Sequence, residues 1–416
     1  MTAPVLTLSP LPQSKLEGTP QTEIDPEFGR IATGLDLDQV KSFSPELVSQ
    51  IQSALFKHGV LIFPSQKVSP EAQYALTRSF DPDCTSYGHG DVIKEKEDVE
   101  KKKIPAASIL HPDLKTIPRV RQVQLIGNGL VKSHEGLENA QLRHPHHKTF
   151  HDTVISQEDE DKGHTRFYRW HIDAALYNLS PPLVTTLYGV KVPTGPAQLV
   201  RYDDGTGETL PVPLGTTAFV SGQQMFDRLS PAEKSLAVRT KVVYAPHPYV
   251  WMSKAKSRST GLGLESQGLE LGPEQLPVVE EEKIKVLPMC WKNPSTGGLH
   301  LQVHPSAVKE LIVSPIPVVE GKAASADSLY PSGAHITDLE EVRSIVYSLQ
   351  RPAISPAKVY AHDWKEGDFC LFHNQGVLHS VVGAFKEEEI RMFHQCNLAA
   401  SKDPEGPNQE DLEMWA

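Results

Sequence analysis

"RWHIDAAL", Arg169 to Leu176, decides how this chain is read. It sets His171 and Asp173 two residues apart, with Trp170 and Ile172 interleaved. In a β-strand, residues i and i+2 leave the same face, about 7 Å apart along the strand. An imidazole nitrogen and a carboxylate oxygen so placed can converge on one cation. With a second histidine from elsewhere, two histidines and one carboxylate occupy one face of an octahedral metal. That arrangement leaves positions open, as non-haem Fe(II) oxygenases require. Alone, H-x-D is a weak signal, because strands also carry His and Asp as ordinary hydrogen-bonded residues.

The rest of the 416-residue chain bounds the reading. Hydrophobic content of 39% and charged content of 22% are those of a globular protein. A net charge of −11 disfavours nucleic acid as partner, since that surface wants cations. No apolar run reaches the roughly 18 residues of a membrane span, and the amino terminus lacks the pattern of a secretory signal. Cys84, Cys290, Cys370 and Cys396 are scattered without C-x-x-C spacing. That pattern fits a cytoplasmic protein and offers neither a zinc finger nor a thiolate iron–sulfur site. The expected partner is a small molecule, with no nucleic acid and no membrane; homo-oligomerisation is left open.

Residues 1–28, rich in Pro, Ser and Thr, are expected to be poorly ordered. "LVSQIQSALFKHGVLIFPSQ" reads as a helix running into a strand, and Ser69-Pro70 with Glu71 marks a second helix start. Val92–Lys103 is a mixed charge run expected at the surface. "RVRQVQLIGNG" alternates, with Val120, Gln122 and Gln124 on one face. "LVTTLYGVKV", "TTAFVSG" and "VRTKVVYAP" read as strands. Two weakly patterned stretches, 253–285 and 315–336, read as insertions. Thr337 and Glu340 are expected to form a capping box, and 401–416 a carboxy-terminal tail.

"DWKEGDFCLFHNQGVLHSVVGAFKEEEIRMFHQCNLA" reads as three strands and supplies the third ligand, His379. "KEEE" is expected to turn a hairpin that returns Arg391 toward the metal. An arginine fork suits the far carboxylate of a bound 2-oxo acid. The competing expectation pairs Arg391 with Glu387 to Glu389.

At this point the chain resembles the TauD/TfdA-like Fe(II)/2-oxoglutarate dioxygenases. "HGVLIFPSQKVSPEAQYALTRSF", "WHIDAAL", "GTTAFVSGQQMFDRLSPAEK" and "HDWKEGDFCLFHNQGVLHSVV" match that family's segments in order. The resemblance implies a mainly β double-stranded β-helix, a jelly roll with flanking helices, over about residues 29–400. It implies Fe(II) on His171, Asp173 and His379. It implies 2-oxoglutarate on Thr217 and Arg391, with O2 as oxidant.

The position four beyond Arg391 is Gln395, where sulfonate-binding members carry a second arginine, and Asn397 follows. An amide pair points to a neutral substrate rich in donors and acceptors. "RQVQLIGNG", "RFYRWHIDAALY", "LQVHPSAV" and "HQCNLA" resemble the fungal xanthine dioxygenase subgroup. That resemblance implies hydroxylation of xanthine at C8 to urate, and substrate contacts at Gln122, Gln124, Gln395, Asn397 and Lys148. The same chemistry on another small heterocycle or amide-bearing metabolite, and a non-catalytic metal-binding jelly roll, stay open on the sequence. His144, His146, His147 and His151 are expected to be a solvated loop rather than a metal cluster.

Overall fold

The computed structural model describes residues 6–37, 43–86, 115–317, 327–382, 384–386 and 388–415. The charge run at 92–103 lies outside the described residues, as does part of the 315–336 stretch.

Helix α1 (Pro45–His58) starts on the Ser44 side chain, which accepts from the Leu47 N–H, and ends at Gly59. Gly59 has φ 75°, a left-handed value that favours glycine. The turn delivers the chain directly into β3 (Val60–Phe63). Helix α2 (Pro70–Ser79) is capped by Ser69, as expected.

A large sheet is ordered β1 (Thr7–Pro10), β2 (Arg30–Thr33), β3, β10 (Phe369–His373), β7 (Val184–Lys191), β12 (Arg391–Asn397), β5 (Val120–His134), β4 (Lys115–Ile117). Strand β6 (Leu137–Leu142) adds to β5. A small sheet is ordered β9 (Tyr360–His362), β8 (Thr217–Ser221), β11 (Val377–Val381). From β9 onward the chain alternates between the sheets, small then large, twice. That alternation is how a jelly roll closes over its core.

Period-two alternation explains the runs "VLIF" and "FCLF". Leu61, Phe63, Phe369 and Leu371 pack against α1 and α2. Val60, Ile62, Cys370 and Phe372 meet Phe219, Tyr360 and Val377 of the small sheet. Both faces are buried, so both parities are apolar. Leu371 is fully buried on the helix side. Leu371→Ala is expected to cost about 2–5 kcal/mol in a denaturant titration. An unchanged midpoint would contradict this packing.

Four expectations are corrected. Thr7–Pro10, expected to be poorly ordered, pairs antiparallel with Thr33–Arg30 as an edge strand. Helix α3 (Leu339–Gln350) is capped by Asp338, whose Oδ2 accepts from the Glu341 N–H, not by Thr337. The sequence T-D-L-E-E offers two cap registers, and the later one is used. β11 and β12 do not form a hairpin: β11 pairs with β8, and β12 with β5 and β7 in the other sheet. The segment bearing His171 is not a regular strand. It touches β11 by a single bridge, His171 to His379, and the residue after β11 by another, Phe167 to Val382.

The 253–285 insertion packs rather than hangs free: the Gly261 carbonyl accepts from the Trp170 N–H, and Leu262 and Leu264 are buried. The carboxy-terminal stretch contributes the helix Gln409–Trp415, whose Trp415 ring meets Phe226 at 5.5 Å. No helix among the described residues is long and apolar enough to cross a membrane.

Candidate active site

The two sheets enclose a cavity of about 300 Å3. His171, Asp173 and His379 share its wall with Thr217, Arg391, Gln124, Gln395 and Asn397.

His171 and His379 are tied back to back. Each backbone N–H donates to the other's carbonyl, at 2.9 and 3.0 Å, which brings the two rings to 4.1 Å between centroids. Their Nε2 atoms stand 3.7 and 3.6 Å from one oxygen, Asp173 Oδ1. The ligand atoms of the three residues lie within 4.8 Å of one another. His171 Nδ1 lies 3.0 Å from the Arg169 carbonyl, so it carries the proton and leaves the Nε2 lone pair bare. Asp173 Oδ2 accepts from Thr185 Oγ1 at 2.7 Å and from Gln395 Nε2 at 3.2 Å. Oδ1 is thereby left toward the imidazoles. The Asn374 side chain clamps the Asp173 backbone on both sides, with its Oδ1 accepting from the N–H and its Nδ2 donating to the carbonyl, each at 2.8 Å.

Burial dominates the electrostatics. It lowers His171, and it pulls His379 down to about 3, so these imidazoles are neutral near pH 7. Burial alone would raise Asp173. His379, His171 and the hydrogen bonds from Thr185 and Asn397 outweigh it and hold the carboxyl below its ordinary value. Two neutral imidazoles and a carboxylate form a donor set for a divalent metal with open positions.

Arg391 is 2% exposed, and burial lowers its pKa to about 9. Its Nε donates to the Gly215 carbonyl at 3.3 Å, and its Cζ lies 3.9 Å over the Phe393 ring. Among the described residues no carboxylate pairs with it; Glu389 Oε2 instead accepts from the Lys386 N–H. The expected pairing with the 387–389 acids is not made by the two that are described. A buried cation without a counter-ion is a receptor for an anion. Thr217, fully buried on β8, accepts from Trp364 Nε1 at 3.1 Å, so its own O–H proton is free to donate. Gly127, on β5 opposite, has φ 145°, and a Cβ there would meet the Arg391 carbonyl. Only glycine lets β5 approach Arg391 this closely.

Gln124 donates to Asn397 Oδ1 at 3.4 Å, so this amide pair sits together on the wall. Gln395 uses its amide nitrogen on Asp173. Gln122 is not brought to the cavity: the β5–β12 ladder ends at Cys396 and Val123, one step short of it. Lys148 also stands outside, with its Nζ held by Gln157 at 2.7 Å and by Glu160 at 3.0 Å.

The histidine-rich loop is not solvated. His147 and His151 are buried, and His144 lines the cavity, where burial pushes it well below the ordinary imidazole value. His146, His147 and Glu160 cluster closely enough for a metal. Yet His146 Nδ1 accepts from the Lys148 N–H, which puts the ring proton on Nε2 and directs it at Glu160. The His147 Nε2 lies 2.9 Å from the same Glu160 Oε2.

The sequence reading missed Tyr168, Arg169, Arg143, His144 and Tyr249, all on the cavity wall. Arg169 opens the RWHIDAAL stretch and Tyr168 precedes it. Tyr249, whose hydroxyl donates to the Ala174 carbonyl at 2.9 Å, had no signal.

Residues 17–397 match the family described as taurine catabolism dioxygenase TauD, TfdA family. An alpha-ketoglutarate-dependent xanthine dioxygenase of Neurospora crassa is 55% identical over 392 residues, covering 93% of this chain and 87% of that protein. One of Emericella nidulans is 53% identical over 400 residues, covering 96% and 98%. One of Schizosaccharomyces pombe is 47% identical over 409 residues, covering 98% and 91%. Among solved structures, a taurine dioxygenase from Burkholderia xenovorans superposes with a TM-score of 0.53 at 16% identity, covering 97% of this chain and 93% of that one. AAD-2 in complex with Mn(II) and N-oxalylglycine gives 0.52 at 15%, covering 96% and 100%. At such identities the structural likeness speaks for the fold alone.

Proposed function

This chain belongs to the TauD/TfdA dioxygenase family, and from that premise we propose that it hydroxylates xanthine at C8 to urate, using Fe(II), 2-oxoglutarate and O2. One oxygen atom of O2 enters the purine; the other enters succinate as CO2 leaves. The observation that carries the chemistry is the single cavity in which His171, Asp173 and His379 converge and where Arg391, without a counter-ion among the described residues, also lies. The substrate is carried by near-full-length identities of 47–55% to proteins bearing that activity in their names.

His171 Nε2, His379 Nε2 and Asp173 Oδ1 would hold the iron. The iron supplies the redox chemistry that couples 2-oxo acid decarboxylation to hydroxylation. The chain's own groups bind and orient. Arg391 offers its remaining N–H donors, and Thr217 its O–H, to the distal carboxylate of 2-oxoglutarate. Gln124 and Asn397 present amide donors and acceptors to a lactam edge. Thr185 fixes which carboxylate oxygen of Asp173 faces the metal. Thr185→Val is expected to weaken metal binding roughly 10–100-fold, by loss of an outer hydrogen bond. A Mn(II) titration reads this directly, and an unchanged affinity would sink the assignment.

The test is to supply Fe(II), ascorbate, 2-oxoglutarate and xanthine in air, following urate by ultraviolet absorbance and succinate by mass spectrometry. Equal amounts of both support the reading. Succinate without urate keeps the dioxygenase and discards the substrate.

A further inference from the structure

Arg169 is a further cation on the cavity wall, beside Arg391 and Arg143, and the scheme above gives it no task. It stands two residues before His171 and lines the same cavity. Its Cζ lies 4.1 Å over the buried Phe150 ring and 5.5 Å from the Tyr168 ring centroid. Stacking of this kind fixes the guanidinium plane while leaving its N–H edge open. The Nε is buried with no hydrogen-bond partner. Among the described residues no carboxylate pairs with this side chain. Arg166, Arg343 and Arg351 pair with carboxylates, Asp203, Glu270, and Asp204 with Glu208, whereas buried Arg239 spends its donors on the Ser235, Ser314, Leu329 and Tyr330 carbonyls. Arg169 and Arg391 share the unpaired condition and share the cavity. Arg391 is already matched to the carboxylate of 2-oxoglutarate. The remaining ligand is the substrate.

We propose that Arg169 determines substrate specificity by donating two parallel hydrogen bonds to adjacent acceptors on the purine edge. This rests on the xanthine reading and deepens it. A dioxopurine that loses one lactam proton gains a ring nitrogen acceptor beside a carbonyl acceptor. Two neighbouring acceptors carrying negative charge match the arginine fork in both geometry and sign. Gln124 and Asn397 are neutral amides and cannot supply that charge. The sequence argument for an uncharged substrate, drawn from the amide pair Gln395 and Asn397, is therefore revised: the cation is present, but it comes from the segment before the metal ligands. The matching form is the purine monoanion.

The test compares Arg169→Gln, Arg169→Lys and Arg169→Ala with wild type, after melting curves establish that each is folded. Arg169→Gln is expected to raise the xanthine KM roughly 10–100-fold, the effect of losing charge-assisted hydrogen bonds. The 2-oxoglutarate KM should move much less. Arg169→Lys keeps the charge but not the fork, and should fall between. Added guanidinium should lower the xanthine KM of Arg169→Ala, which a merely structural role would not permit. A wild-type enzyme that forms no urate overturns this proposal together with the function it rests on. A wild type that forms urate, with variants whose xanthine KM is unchanged or moves equally with that of 2-oxoglutarate, overturns this proposal alone.

Discussion

Asp173→Ala is expected to lose its metal and its turnover together. The change removes the only carboxylate of the cluster and leaves two neutral imidazoles 4.1 Å apart between centroids with no anion between them. A divalent cation there would keep two nitrogen ligands and no charge compensation. The loss should exceed the roughly 10–100-fold expected for an outer-partner change such as Thr185→Val. Metal stoichiometry after anaerobic reconstitution, with succinate formation measured in parallel, gives the answer. Full occupancy with wild-type turnover would disprove the assignment of Asp173 as a ligand.

Arg391→Gln is expected to raise the 2-oxoglutarate KM roughly 100-fold or more, since two or three charge-assisted bonds of about 1.5–3 kcal/mol each are at stake. Its second expected effect runs the other way. Arg391 is a buried cation with one backbone hydrogen bond and, among the described residues, no counter-ion. Removing it also removes the cost of keeping that charge out of water. Without ligand, the variant should therefore melt no lower than wild type. In excess 2-oxoglutarate the wild type should gain thermal stability and the variant should not. A variant that melts lower and retains the wild-type KM would make Arg391 a structural residue.

Local pattern carried much of this protein. Ser69 announced a helix start because capping depends on a few neighbouring residues. The run at 369–372 read as a strand, and the structure adds that it is buried on both faces. The structure gathers His171, Asp173, His379, Thr217 and Arg391 into one cavity; the first four stood in ordered motifs, and Arg391 in the strand read after them. What failed depends on long-range placement. The turn after β11 was read as a hairpin because turn residues separate two strands there, yet which sheet each strand joins is settled by partners such as Gln124 and Leu187, far away in the chain. Gln122 shares parity with Gln124 but falls past the end of the β5–β12 ladder, and no alternation pattern reports where a ladder ends. Arg169 was quoted and passed over, because its neighbour Phe150 lies in another segment.

The pairing of His171 with His379 carries a consequence for folding. An ion gripping both residues would join points separated by about half the chain's length, but only in the folded state, where the site exists. Its binding free energy then adds to the free energy of folding and is lost when the ion is removed. The cofactor is in this sense a reversible clasp on the polymer as well as a reagent. Iron supply would then set how long the protein survives in its folded form, apart from how fast it turns over.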